Sequence, residues 1–474
     1  MLYVLIILLA SVLFMCYRAA EFKAPDFTNR TPEPVKIDCP ARIEHFQTLI
    51  RMATVSDSDY EKTDKALFKA YREKLRELYP TVCEKSEYSE HGNTAMLFKI
   101  KGESRENPTV LMSHYDVVPV VEERWAHPPF AAEIVDGEIW GRGTLDTKIT
   151  MLGIMESMED MLKQGFVPKN DIYLSFSGDE EVSGISAPRV VDYLEAQGVK
   201  PAMVLDEGGA VADGVFPGLD KPVAVIGIGE KGMCSVRLTA EGKGGHSSTP
   251  PRHTSLGYLS QSIVNIENHP FKAEVTLPVE GLLKHVGPYL SFPLRLISAN
   301  LGIFKGLVAK MSMKLGGELN AMMRTTTAAT MAQGSKAHNV LPNESTAMIN
   351  VRLLNNTTPR QALDRIQSLC AEGVTAAFET EIPASPYAST DSENWQKVAQ
   401  AVGDTWTDAV VSPYLMIAGS DSRHFSKICR DVYKFSAWHV STELRGTIHN
   451  DNERIPVGEV SKTVEFFHRL IARL

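Results

Sequence analysis

Apolar positions along this chain follow two rhythms. Between residues 43 and about 229, short apolar runs alternate with amphipathic segments. Residues 64–78 repeat apolar positions at helical spacing, and Thr109-Val110-Leu111-Met112 has the character of a buried strand. Residues 147–163 predict a helix that Gly165 stops, and residues 172–176 and 203–205 predict further strands. Such alternation implies an α/β fold, a mixed sheet flanked by helices on both faces. From about Met233 the rhythm changes. Residues 234–240 alternate as a half-exposed strand does, helical spacing follows at 256–267 and 360–370, and strand patterns occupy 325–331 and 346–353. Two helices on one face of an antiparallel sheet suit this stretch, an inserted α+β domain. After about Ser385 the first rhythm returns and runs to the end.

This reading divides the chain into a hydrophobic N-terminal anchor (1–18), a Pro-rich linker (19–40), a first part of the catalytic domain (41–230), an inserted domain (231–384) and a second part (385–474). The first 16 residues are almost wholly apolar, short of the ~20 usual for a full span. No Lys or Arg precedes them, so the segment reads as an uncleaved anchor, with a cleaved signal as the alternative. The expectation is a catalytic domain held at a membrane outside the cytoplasm, or else secreted. Within the insertion, residues 277–315 are apolar and punctuated by Lys284, Arg295, Lys305, Lys310 and Lys314, with almost no acid before Glu318. Such a segment suits a membrane surface or the wall of an apolar pocket, and equally a core-packed helical insertion with solvated lysines.

Charge narrows the partners. A formal net charge of −9 argues against nucleic acid, which demands a clustered basic face. Six scattered cysteines without a C-x-x-C pair form neither a zinc-finger pattern nor a disulfide scaffold.

Chemistry concentrates at the ends of the predicted strands. Ser113-His114-Tyr115-Asp116, Leu145-Asp146-Thr147, Gly178-Asp179-Glu180-Glu181, Leu205-Asp206-Glu207 and Ile448-His449-Asn450 each follow an apolar run. In open α/β sheets ligands bind at the carboxyl ends of strands. Histidine nitrogens and carboxylate oxygens are the donors a divalent cation such as zinc takes, and a metal pair needs one bridging carboxylate plus about two further protein ligands per ion. Asp116 is placed to accept the second imidazole N–H of His114 and fix its tautomer. In Glu180-Glu181, neighbouring side chains point apart, so one can ligate while the other handles a proton.

The motifs Ser-His-Tyr-Asp-Val-Val-Pro (113–119), Trp-Gly-Arg-Gly-Thr-Leu-Asp-Thr-Lys (140–148), Ser-Gly-Asp-Glu-Glu-Val-Ser-Gly (177–184), Gly-Gly-His-Ser-Ser-Thr-Pro (244–250), Asn-Val-Leu-Pro (339–342) and Gly-Ser-Asp-Ser-Arg-His-Phe (419–425) occur in one order. As a set they resemble the aminoacylase and carboxypeptidase S family of two-zinc metallopeptidases. The last motif and the long insertion look most like the carboxypeptidase S branch, which includes hydrolases of fatty N-acyl amino acids. The resemblance implies two divalent metal ions, zinc by preference. It makes Asp146 the bridge, His114 and Asp206 one metal site, and Glu181 and His449 the other. It makes Glu180 the general base and Asp116 the partner of His114. His246, in a lid or dimerisation domain, would stabilise the oxyanion, often across the interface of a homodimer. Asn339 would bind substrate, and Arg423, with Arg352 as a weaker candidate, would hold its carboxylate.

The expected function is therefore zinc-dependent hydrolysis of amide bonds in peptides or N-acyl amino acids bearing a free carboxylate. One alternative keeps the chemistry but takes lipid-like N-fatty-acyl amino acids as substrate, in hydrolysis or synthesis. Another, of a different class, is a peptide-binding protein without catalysis.

Overall fold

Four parallel strands form the middle of the molecule. In sheet order they are Asn170–Ser177, Ser104–His114, Met203–Asp206 and Val432–Lys434. Val/Ile/Leu-rich runs suit them because helices cover both faces. The sheet continues on one side through the antiparallel strands Ala95–Ile100 and Ser86–His91. On the other side come Val223–Glu230, Val211–Ala212 and His439–Val440, with Val410–Met416 paired parallel to Val223–Glu230. The expected mixed α/β sheet is thus present. The computed structural model describes the whole chain except residues 29–31, 36–38 and 215–218, and at Cys39 and Leu315 the backbone alone.

Helix Lys148–Lys163 is buried along almost its entire length against the sheet and against helix Val457–Ile471. Gly153 permits that approach, since a Cβ there would come within 2.5 Å of Thr463 Cγ2 and 2.7 Å of Phe467 Cδ2. Gly165 ends the helix region with φ +83°, the left-handed conformation that glycine adopts without a Cβ penalty.

The insertion has the predicted form. Strands Thr326–Gln333, Glu344–Leu353, Gly232–Glu241 and Val374–Ile382 make an antiparallel sheet in that order. Helices Ser255–Asn268 and Pro359–Leu369 pack on it, and the alternation of Gly232–Glu241 buries Cys234, Val236, Leu238 and Ala240 beneath them. A two-stranded ribbon, Gly245–His246 with Val340–Leu341, stands apart at its end.

Residues 277–315 do not belong to that small sheet. Helix Leu277–Val286 buries Val279, Leu282 and Val286 in a cluster with Val223, Val225, Val410 and Leu415, against the edge of the main sheet. Helices Phe292–Ala299 and Leu301–Leu315 follow. The core-packed reading thus describes the first of these helices, while large apolar side chains of the later two stay exposed.

At the N-terminus, Leu2–Ala20 is one helix, the single unbroken helix among the described residues long and apolar enough to cross a membrane. The linker is not a free spacer where it is described. Phe27 stacks on His285 at 5.8 Å and meets Trp395 edge-on at 6.2 Å, and the Glu33 carbonyl accepts from Arg469.

Candidate metal centre

The parallel strands deliver their last residues to one edge of the sheet. His114 ends its strand, Glu180 and Glu181 follow Asn170–Ser177, and Glu207 follows Met203–Asp206. Asp146 lies in the loop before helix Lys148–Lys163, and His449 in the loop before Arg454–Pro456. His114 Nε2 sits 3.0 Å from Asp146 Oδ1 and 3.1 Å from Glu207 Oε1. His449 Nε2 sits 2.9 Å from Asp146 Oδ2 and 3.1 Å from Glu181 Oε2. Two triads result, His114–Asp146–Glu207 and Asp146–Glu181–His449, and they share Asp146. Within each, one donor atom per residue lies within 4.8 Å of the others.

Supports around the triads explain their geometry. The His114 Nδ1 is 3.0 Å from the Asp116 carbonyl and 3.4 Å from its Oδ1. The Asp116 carboxylate accepts the backbone N–H groups of Glu180 and Glu181 at 3.2 and 3.1 Å, so one buried side chain orients the histidine and the Glu-Glu turn together. Glu453, fully buried, accepts from the N–H groups of Leu145 and Asp146 at 2.8 and 3.2 Å and pairs with Arg142. Arg142 in turn donates to the Asn450 carbonyl at 2.9 Å. Through this pair the Asp146 loop and the His449 loop are fixed to each other. Gly209 keeps the Glu207 loop tight, because a Cβ there would run into the Val225 carbonyl.

Asp206, the ligand that the resemblance implied, lies near His114 and Glu207, but its carboxylate is not one of the atoms of the two triads. Its Oδ2 accepts the Ser422 N–H at 3.0 Å, and the neighbouring Glu207 is the side chain that faces His114. Alternation along a strand accounts for this, since adjacent residues point to opposite sides. Sequence reasoning did not assign Glu207, although it stood inside the quoted Leu205-Asp206-Glu207 motif. Arg142 was likewise visible within a motif, whereas Glu453 carried no sequence signal.

The cluster is strongly anionic. Among the described residues no Lys or Arg forms an ion pair with Asp146, Glu180, Glu181 or Glu207; their charged partners are the two histidines. Burial pushes Glu207 up to about 8, with Asp146 and Asp206 adding to it. Burial raises Glu180 well above the usual carboxylate range, and Asp421, Glu207 and Glu181 reinforce that. The hydrogen bonds to Asp146 and Glu181 raise His449 to about 10. For His114, burial disfavours the cation, but Glu207, Asp116 and Asp146 outweigh it and leave the group well above its ordinary value. Asp146 is drawn the other way: burial opposes its charge, and its bonds to His114 and His449 hold it below the usual range. Carboxylates packed this closely need compensating positive charge. Two imidazoles and three carboxylates converging from two triads are donors that divalent cations fit.

Two cavities meet at Glu180 and Glu181. One, of about 310 Å³, extends from Asp146 and Glu207 between apolar walls that include Ala210, Ala212, Val225, Tyr414, Met416 and Trp438. Glu318 and Arg445, paired at 3.3 Å, stand among its lining residues. The other, of about 170 Å³, lies toward the inserted domain and is lined by Arg352 and Arg423. The Arg423 Nε is buried without a hydrogen-bond partner among the described residues, and burial lowers Arg352 from its ordinary value.

His246 and Asn339 are not gathered into this site. His246 lies exposed on the ribbon, its Nδ1 2.8 Å from Ser248 Oγ, and Asn339 is exposed beside it, its carbonyl accepting from Ser247. Neither lines the cavities at Glu180.

A mixed sheet with histidine and carboxylate triads at its strand ends, interrupted by a small α+β domain, has the architecture of a metallohydrolase. The chain belongs to peptidase family M20/M25/M40, whose model matches residues 110–473, and it is a hydrolase of that metallopeptidase family. It is 35% identical over 439 residues to the N-fatty-acyl-amino acid synthase/hydrolase PM20D1 of Xenopus tropicalis, covering 90% of this chain and 85% of that protein. It is 31% identical over 466 residues to the probable carboxypeptidase S-like 2 of Dictyostelium discoideum, covering 94% and 89%. The branch resemblance drawn from the motifs therefore holds. Among solved structures, the M20 family metallo-carboxypeptidase Sso-CP2 of Sulfolobus solfataricus shares the fold, with TM-score 0.64 at 17% identity over 91% of this chain and 98% of the other.

Proposed function

We propose that this protein hydrolyses the amide bond of N-acyl amino acids whose acyl group is long and apolar and whose carboxylate is free. The same amide bond in reverse gives the synthase direction. One observation carries the reading: Glu180 and Glu181 border both an apolar cavity and a cavity lined by guanidinium groups. An amide at Glu180 would have its acyl chain on the Tyr414–Met416 side and its carboxylate at Arg423 and Arg352. Guanidinium groups suit a carboxylate by charge and by their fork of donors. The name of the Xenopus relative, an N-fatty-acyl-amino acid synthase/hydrolase, supports the same choice of substrate.

In this proposal His114, Asp146 and Glu207 hold one divalent cation and Asp146, Glu181 and His449 a second, with zinc the metal that His and carboxylate donors favour. Bound there, the metals would polarise the amide carbonyl and acidify water. Glu180 takes the proton of the attacking water and returns it to the leaving nitrogen. Glu180 borders both cavities, where both halves of that task would take place. Arg423 and Arg352 orient the substrate, and the apolar walls exclude water. His246 donates to the oxyanion once the ribbon reaches a Glu180, within a closed chain or from a second copy in a homodimer. Asn339, beside it, contacts substrate at the same moment. Asp206 holds the 420–422 turn that carries Arg423 into place. Helix Leu2–Ala20 serves as a membrane anchor for the catalytic body; its removal as a signal would leave a secreted enzyme.

The test is a rate comparison on the metal-reconstituted protein among N-oleoyl-phenylalanine, its methyl ester, N-acetyl-phenylalanine and a dipeptide. The oleoyl acid should be fastest. Equal rates on ester and acid would reject the guanidinium subsite, and a dipeptide preference would reject the acyl cavity in favour of peptidase action.

A further inference from the structure

Helices Phe292–Ala299 and Leu301–Lys314 meet at 119° across Asn300 and form an elbow on the surface. The second helix already buries one side: Leu301, Val308 and Ser312 face inward, at the i, i+7 and i+11 positions. Its opposite side carries large apolar residues in solvent, with Ile303 68% and Met313 55% exposed, and Phe292 on the first helix 48% exposed. These side chains are therefore not spare core, because the core-facing stripe is a different one. Between Glu280 and Glu318 the chain has no acidic residue. Lys305 pairs with Glu280, but Arg295, Lys310 and Lys314 have no ion-pair partner among the described residues.

The elbow is tied to the N-terminal helix. Asn300 Nδ2 donates to the Met15 carbonyl at 3.1 Å, helix Leu2–Ala20 packs on Phe292–Ala299, and Ala19 is fully buried. Met15 precedes the end of its helix by five residues, about 7.5 Å of rise. If residues 2–20 enter a bilayer, the elbow stands at the level where hydrocarbon gives way to headgroups. Exposed apolar side chains and unpaired lysines at that level are the composition of an interfacial helix. Arg18 and Lys23 lie at the same end of the anchor and add to the basic side.

We infer that the elbow at residues 292–315 docks onto a lipid bilayer carrying anionic headgroups, beside helix Leu2–Ala20, so that the body is held at two points rather than tethered by one. This inference rests on the proposed membrane anchor and is independent of the amide-hydrolase chemistry.

The full chain, reconstituted in phosphatidylcholine vesicles containing phosphatidylserine, tests it. Nitroxide labels are placed at Ile303→Cys and Met313→Cys, with Lys200→Cys as an exposed reference on the body. The unsubstituted chain, labelled alike, supplies the background of the native cysteines. Collision with oxygen relative to a water-soluble nickel chelate should rise several-fold at 303 and 313 over position 200. It should fall back when Lys305, Lys310 and Lys314 are all changed to Glu. A label at 303 as open to nickel as that at 200, in protein whose N-terminal helix is inserted, would overturn bilayer docking. Immersion unaltered by the lysine reversals and by omission of phosphatidylserine would overturn the headgroup preference. Shielding from both probes that persists in detergent, with a doubled particle mass, would assign the face to a second copy and overturn the proposal.

Discussion

The strand-end cluster and the ribbon of the inserted domain are built in opposite ways. His114 is 2% exposed and held by Asp116, Asp146 and Glu207, each from a different loop. The His246 side chain is exposed and, among the described residues, hydrogen-bonds only within its own turn. Groups that must hold charges in fixed positions sit where packing allows no other rotamer. A group that acts only once substrate is bound can wait outside, on an element two residues wide. Under the proposed function, the comparison separates a preorganised half of the site from a half that has to be delivered.

Four experiments sharpen or break this contrast. Glu180→Gln should lower kcat by about 10²–10⁴-fold with both metal equivalents retained; single-turnover rates and metal analysis check it, and unchanged turnover would remove Glu180 as the base. His246→Ala should cost about 10²–10³-fold in kcat, again without loss of metal. If the ribbon serves a neighbour, mixing subunits carrying Glu180→Gln with subunits carrying His246→Ala restores part of the activity, whereas within-chain closure restores none. Glu453→Gln, far from the ribbon, should weaken metal affinity by about 10–100-fold, because the Asp146 loop loses its buried acceptor. In the same titration Glu207→Gln should remove one metal equivalent, while Asp206→Asn keeps both.

The smallest effect concerns a helix that supports the sheet. His45 Nδ1 lies 2.7 Å from Glu156, and that hydrogen bond, against the opposing pull of burial, raises the His45 pKa above 6.5. Protons bind the folded state more tightly, so the pair's contribution is fully present below pH ~6.5 and fades as pH rises through the raised value. Thermal melting across that window should show a decline that His45→Gln abolishes. Activity per folded molecule should not follow it.

How much of this was legible from the residues differs by part. Alternating runs placed the strands at 109–112, 172–176 and 203–205 and the helix at 147–163, because a sheet covered on both faces needs continuous apolar strands. Strand ends also showed where chemistry gathers. Yet the pattern could not tell Asp206 from Glu207, since which of two adjacent carboxylates faces His114 depends on how the strand enters its loop. Glu453 was invisible because its partners, Arg142 and the 145–146 amides, lie some 300 residues away along the chain. The segment 277–315 defeated the pattern differently: its apolar residues divide between the main core and the surface, and periodicity alone does not say which stripe faces which.

Taken alone, then, the order of residues determined the class of fold and the family, and it proposed a donor set, since these depend on local period and short motifs. The folded arrangement decided which carboxylates share Asp146, where the two cavities open, and which apolar faces stay uncovered. Those depend on contacts between distant segments, and their energies are set by packing and burial that no single stretch of chain contains.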